Sequence, residues 1–365
     1  MLPPTRPILS VDLDALARNA AVLRARAGPA ELACVVKADA YGLGAAAICE
    51  TLARRCGVGT LFVAFAAEAE PVRAAAPDAD IYVLNGFEPY EADRFVRLGL
   101  RPVLEAPSQV AAWSAAGGGP CALGVDVGMN RLGLSPGELA GVCDETGLEP
   151  RDVTLVVMHL SHASDTRHPR NTEQVELFER VASVHRPRFP NARFSLSASG
   201  GIELPHAPSE RLVRPGISLY GGSPTGEAAD ALEPVATFTA PVLALRDVEV
   251  GETAGYDGRW RASRPSRLAI LGAGYADGVR RSARESGFVV LDGMRCPFAG
   301  TVSMDSVIVD ATDATSAKVG DRAELFGRML SVDEAARAAG TIAYDLLCGI
   351  GPRVERVYEG QASAR

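Results

Sequence analysis

Several large classes of protein are excluded by what this sequence lacks. No apolar run approaches the roughly 20 residues that a membrane span needs. The opening Met1-Leu2-Pro3-Pro4-Thr5-Arg6 has no apolar signal-peptide core. The seven cysteines contain no CxxC pair. An odd, dispersed set fits reduced thiols in the cytoplasm rather than a disulfide framework or a zinc site. Positive charge is in deficit, with 37 Lys and Arg against 45 Asp and Glu and a net charge of -8. That argues against a nucleic-acid or membrane-surface partner, since both favour a basic patch. Three of the five histidines, His159, His162 and His168, lie close in sequence, but their spacing matches no metal signature and no metal is expected.

What is present is enough apolar residue, 47% of 365, for a sizeable core and two domains. Residues 8–11 read as a short strand, and Asp12 as the N-cap of a helix carrying Leu13, Leu16, Ala20 and Leu23. Apolar strand-like runs then recur at 32–36, 60–64, 80–84, 101–104, 121–125, 153–159, 193–196 and 212–219. Amphipathic stretches at 66–76, 89–98, 108–116, 136–146 and 171–186 lie between most of them, and the link 203–211 has room for only a turn or two. Eight such strands predict a (β/α)8 barrel. A doubly wound sheet shares the alternation. However, Lys37, Arg131, His159, Ser199 and Gly216 all fall at or just after strand C-termini, which a barrel gathers at one mouth. From residue 236 the texture changes to short β-rich runs, at 236–245, 267–271, 288–291, 307–309 and 322–326, with a short helix at 331–339. The expected fold class is α/β + β. A strand at 1–11 joins the β-domain, 12–232 form a TIM-like (β/α)8 barrel, and 233–365 form a mainly β domain.

The segment Val35-Val36-Lys37-Ala38-Asp39-Ala40-Tyr41-Gly42-Leu43-Gly44 carries a lysine at the end of a buried strand, then a short loop at 39–44 and a helix at 45–55. An ammonium partly stripped of water becomes a usable amine nucleophile or base; a surface lysine before a turn is the plainer alternative. Ser197-Ala198-Ser199-Gly200-Gly201 follows the seventh strand, and Arg214-Pro215-Gly216-Ile217-Ser218-Leu219-Tyr220-Gly221 lies at the eighth. Barrels often bind phosphate with those two loops. Small residues let backbone N–H groups approach an anion closely. Gly128-Met129-Asn130-Arg131-Leu132-Gly133 follows the fifth strand, and a guanidinium fork suits a planar carboxylate.

These segments resemble the alanine racemases, a family of pyridoxal 5'-phosphate enzymes. The likeness runs in order from Lys37 to Arg353. It implies that Lys37 holds the cofactor, that Ser199, Tyr41 and the backbone of Gly216 and Ile217 hold its phosphate, and that Arg214 faces the pyridine nitrogen. Arg131 would contact cofactor and substrate carboxylate. Tyr256, in Ala254-Gly255-Tyr256-Asp257-Gly258, would be the second catalytic base, supplied by the partner subunit of a homodimer. Tyr275, in Gly274-Tyr275-Ala276-Asp277-Gly278, would line the substrate path. Met304 and Asp305, in Gly300-Thr301-Val302-Ser303-Met304-Asp305, would reach the partner's site and contact substrate. A histidine of the sixth strand would support the site, His159 on chemistry with His162 as the alternative.

Two positions depart from the family. Many members carry a carbamylated lysine seven residues upstream of the arginine, where this chain has Gly124. Some anion or another side chain must then orient Arg131. Pro352 stands where some members carry a gating tyrosine. The resemblance implies a cytoplasmic enzyme interconverting L- and D-alanine with two bases, Lys37 and Tyr256 of the partner subunit, to supply peptidoglycan. A broad-specificity racemase acting on serine or lysine is the near rival. A decarboxylase would place an acid where Arg214 stands, and a PLP carrier protein would have no use for Tyr256.

Overall fold

The computed structural model describes residues 6–205, 208, 210–226 and 231–360. They fall into two units: one of residues 17–40 and 44–219, the other of the described residues within 1–16, 41–43 and 220–365.

In the first unit seven parallel strands run in sequence order: Cys34–Val35, Thr60–Val63, Asp80–Val83, Leu100–Leu104, Cys121–Gly124, Val153–Val157 and Arg193–Ser195. An eighth, Leu212–Val213, pairs with Glu31–Leu32 just upstream of the first. It bonds on both sides: Ala33 N–H donates to Val213 at 2.9 Å, and Arg211 and Arg214 N–H donate to Phe194 and Ser197 at 3.1 and 2.8 Å. The ring is thereby closed as a barrel. Leu61, Phe62, Val63, Ile81, Leu123 and Val156 are buried, as parallel strands covered on both faces require. Helices alternate with the strands. Pro136–Thr146 shows why the sequence stops and starts them here: Ser135 and Glu138 form a capping box, Pro136 takes the first helical position, and Gly147 ends it at φ 74°.

The N-terminal end of the barrel is a polar layer. Arg193 pairs with Glu31 at 2.5 Å, Arg101 with Asp80 at 2.5 Å, and the Tyr82 hydroxyl lies 2.8 Å from Thr154 Oγ1. Carboxylates and guanidiniums balance there, so this end reads as structural.

The eighth strand is shorter than the expected 212–219. Arg214-Pro215-Gly216 turns the chain away, and Ile217–Tyr220 is a 3-10 turn. The sixth ends at Val157 rather than 159.

The second unit holds a sheet in the order Met294–Pro297, Phe288–Leu291, Arg322–Phe326, Ala236–Val248, Ile8–Asp12, Glu355–Glu359. Ser266–Leu271 and Val307–Asp310 extend it from the long Ala236–Val248 strand. Ile8–Asp12 lies antiparallel to that strand and parallel to Glu355–Glu359. A helix covers Val332–Ala338. No helix of the described residues is long and apolar enough to cross a membrane.

Candidate active site

Lys37 follows directly on the buried Val35-Val36 at the C-terminal end of the first barrel strand. The next four residues form a left-handed turn: Ala38, Asp39, Ala40 and Tyr41 have φ of 54°, 54°, 52° and 59°. The sequence reads as an ordinary loop because none of the four is glycine. Left-handed backbone costs an L-residue about 1–2 kcal/mol, so the surroundings must hold it. Ala40 N–H donates to Val36 at 2.9 Å and Gly44 N–H to Asp39 O at 2.9 Å. The Asp39 carboxylate accepts from Ala45 N–H at 2.7 Å, capping the helix Ala45–Cys56. Glu68 accepts from Ala38 and Ala64 N–H, tying the turn to the second strand's end. Strain held at a strand end is a mark of a functional site.

Arg131 stands near the tip of a loop organised by Asp126. That carboxylate accepts from Gly128, Met129 and Asn130 N–H at 2.8–3.1 Å. Gly133 closes the loop at φ 121°, where a Cβ would lie 2.6 Å from Asp126 N. The Arg131 side chain is exposed. On the neighbouring strand end, Glu105 lies over Gly124; a Cβ on Gly124 would sit 2.7 Å from Glu105 Cγ. Burial pushes the Glu105 carboxyl up to about 7, and the Arg131 charge pulls it down.

Arg214 is buried at the base of the mouth. Its guanidinium donates to Ser195 Oγ, to Met158 O at 2.7 Å and to Leu196 O at 3.4 Å, and lies 3.5 Å from His159 Nδ1. Glu210 accepts from Leu196 and Ser197 N–H at 2.7 and 2.9 Å. Burial lowers the guanidinium to about 10, so it stays charged at neutral pH. His159 is pushed down to about 3, by burial first and then by Arg214, Arg131 and Lys37. Arg214 is the cation beside the imidazole, and the charges of Arg131 and Lys37 add to what disfavours its protonation. His162 is exposed, stacks on His168 at 4.2 Å and bonds Ser161 Oγ at 2.7 Å.

Ser199 opens the short helix Ser199–Ile202. Its hydroxyl accepts from Gly216 N–H at 3.0 Å and Ser218 N–H at 3.3 Å, which joins the seventh and eighth loops. A Cβ on Gly200 would lie 2.6 Å from Ala163 O. Ile217 is fully buried beside them. Ser218 Oγ is buried without a hydrogen-bond partner among the described residues. A bed of small residues with an orphan hydroxyl, backbone N–H groups and Arg214 two residues before Gly216 suits a phosphate-bearing cofactor, and a lysine at a barrel strand's C-terminal end suits its aldehyde.

The structure thus brings Lys37, Arg131, His159, Ser199, Arg214, Gly216 and Ile217 together in one unit. The other candidates lie in the second. Tyr41 is buried with its ring 4.9 Å from that of Tyr220, and burial raises its hydroxyl pKa. Its turn is held by Arg356, which donates to Gly42 O at 3.2 Å, and Tyr358, which donates to Leu43 O at 3.1 Å. Tyr275 N–H donates to Ser303 O and Ala276 N–H to Met304 O, both at 3.0 Å, so two of the matched segments share one surface. Arg353 pairs with Asp277 at 2.7 Å and with Asp305 at 2.6 Å. Gly255, at φ 70°, packs beside Gly300 and Thr301, which brings Tyr256 to the same region. Tyr256, Tyr275 and Met304 are 64%, 44% and 53% exposed. Among the described residues no cluster of His, Cys, Asp or Glu could hold a metal.

Sequence reasoning missed Asp126, Glu105 and Glu68. The signal for Glu105 was available: a carboxylate directly after a barrel strand, at the end where function resides.

Comparison with known proteins gives the family. The alanine racemase N-terminal domain profile matches residues 11–224, and the C-terminal domain profile matches 235–358. An alanine racemase of Methylobacterium nodulans is 43% identical over 357 residues, covering 96% of this chain and 95% of that protein. The crystal structure of alanine racemase from Bartonella henselae with covalently bound pyridoxal phosphate superposes with a TM-score of 0.88 at 33% identity, covering 98% of this chain and 100% of that one. Biosynthetic alanine racemase from Pseudomonas aeruginosa gives a TM-score of 0.89 at 36% identity, covering 99% and 100%. The chain belongs to the alanine racemase family of pyridoxal-phosphate-dependent racemases.

Proposed function

We propose that this protein is an alanine racemase that interconverts L- and D-alanine with two bases, Lys37 and Tyr256 of the partner subunit. The observation that carries this is the placing of Lys37 at the end of the first barrel strand, in the same unit as the buried Arg214–His159 contact and the Ser199–Gly216 bed. When bound, pyridoxal phosphate supplies the electron sink that acidifies the substrate Cα–H.

Ser199 Oγ, the N–H groups of Gly216 and Ile217 and the Tyr41 hydroxyl hold the phosphate. Arg214 is charged and can only donate, so a ring nitrogen facing it keeps its lone pair. The sink is then weaker than with a carboxylate partner, and the carbon that has lost its proton regains one quickly. Arg131 grips the substrate carboxylate through its fork. Lys37 Nζ takes the Cα proton from the D-isomer while Tyr256 of the partner subunit delivers one to the opposite face, and the roles reverse from the L-isomer. A tyrosine has an ordinary pKa near 10, so it needs a cation or a histidine beside it to act as a base.

The exposed Tyr256, Tyr275 and Met304 supply support for a homodimer, since large apolar groups clustered at a surface suit burial against a partner. On this reading Tyr275 lines the substrate path, Met304 and Asp305 contact substrate in the partner's site, and the enzyme supplies D-alanine for peptidoglycan in the cytoplasm.

The test is D-alanine formation from L-alanine by purified protein with pyridoxal phosphate, beside serine and lysine at equal concentration. Fast turnover of alanine alone is expected. Better rates on serine or lysine would favour the broad-specificity reading, for which Gly124 and Pro352 are the motive.

A further inference from the structure

Gly124 ends the fifth barrel strand, and Glu105 immediately follows the fourth. The two strands are in parallel register with Leu104 opposite Leu123, so the next step sets Glu105 beside Gly124 with its side chain on the same face. The contact is close: a Cβ on Gly124 would stand 2.7 Å from Glu105 Cγ, 3.1 Å from Oε1 and 3.4 Å from Cδ. A side chain at 124 and the present place of Glu105 are therefore mutually exclusive. The backbone of Glu105 is fixed as well, its N–H donating to Gln109 Oε1 at 2.9 Å at the start of the helix Pro107–Ala115. Burial raises the Glu105 carboxyl and the Arg131 charge lowers it, without a direct ion pair between the two in this structure. Many family members place the carbamate of a modified lysine at this point, and this chain cannot.

We propose that the Glu105 carboxylate is the anion that positions the Arg131 guanidinium, occupying from the neighbouring strand the space that a carbamylated lysine at 124 would take. Glu105 is a positioning residue, since it acts on substrate only through Arg131. The proposal rests on the reading of Arg131 as the carboxylate-binding residue. It also explains why 124 is glycine. Wild-type enzyme then needs neither bicarbonate nor chloride.

The turnover tests use the cofactor-loaded, full-length enzyme. Glu105→Gln keeps the shape and removes the charge. KM for alanine should rise by about tenfold with a smaller change in kcat, the size of effect seen when an outer partner of a binding group is lost. Glu105→Ala opens a hole beside Arg131. Acetate or formate should restore its kcat/KM severalfold without affecting wild type. Acetate should also raise the thermal midpoint of the cofactor-free Glu105→Ala protein, a readout independent of turnover. An unchanged KM in Glu105→Gln, a Glu105→Ala variant that no small carboxylate restores, or a wild type that depends on added chloride overturns the proposal. A wild type that does not turn over alanine overturns the functional reading instead, and the acetate-dependent midpoint still reports on Glu105.

Discussion

Arg214 Nη2 lies 3.5 Å from His159 Nδ1, so that ring nitrogen faces a donor and has no use for a proton of its own. Burial, Arg214, Arg131 and Lys37 together hold His159 at about 3, against 6.5 for an ordinary histidine. The unfolded chain therefore binds the proton first as pH falls. Stability that is full above pH 6.5 is lost as the pH drops from 6.5 towards 3. In ring-labelled histidine spectra, His159 should keep its neutral-form shifts from pH 8 down to pH 5. Its titration near 6.5 would show that burial and the Arg214 charge do not act on it.

Lys37 is one of only two lysines in the chain, the other being Lys318. Lys318 is exposed in the second unit, far in sequence from any strand of the barrel. Borohydride reduction of the cofactor-loaded protein should therefore fix pyridoxal phosphate to a single peptide, the one containing Lys37, and Lys37→Ala should abolish the adduct. An adduct on Lys318 would move the cofactor site elsewhere.

The left-handed turn makes a prediction about stability. Ala38 is exposed at φ 54°. In a right-handed helix, Ala→Gly costs about 0.5–1 kcal/mol. Here glycine relieves about 1–2 kcal/mol of left-handed strain, so Ala38→Gly should be neutral or stabilising by up to about 1 kcal/mol. Urea unfolding followed by circular dichroism decides it, and a loss of about 1 kcal/mol would mean that the turn is not left-handed.

Much of this was legible from residues alone, for a physical reason. Barrel strands are covered on both faces, so they appear as apolar runs such as Leu61-Phe62-Val63, and their ends are marked by the first polar residue. Lys37 and Arg214 follow that rule. Three things were not legible. Glu355-Arg356-Val357-Tyr358-Glu359 is an edge strand whose charged residues hide its alternation, although Arg356 and Tyr358 hold the turn after Tyr41. The turn 38–41 contains no glycine to announce its backbone, because backbone N–H groups donating to the Asp39 and Glu68 carboxylates hold it. The meeting of Glu105 with Gly124 depends on the register of two strands that are 19 positions apart, which no local pattern encodes.

The central claim is that each site takes Lys37 from one subunit and Tyr256 from the other. Lys37→Ala and Tyr256→Phe should each lower racemisation by at least about 100-fold, the usual weight of a positioned proton carrier. The direct measurement is to mix the two inactive variants, exchange their subunits and assay D-alanine formed from L-alanine. Random pairing makes half of the dimers mixed, and each mixed dimer has one intact site, so about a quarter of wild-type activity should return. A mixture that stays as inactive as its components would contradict the account, placing both bases in one subunit or removing Tyr256 from the reaction.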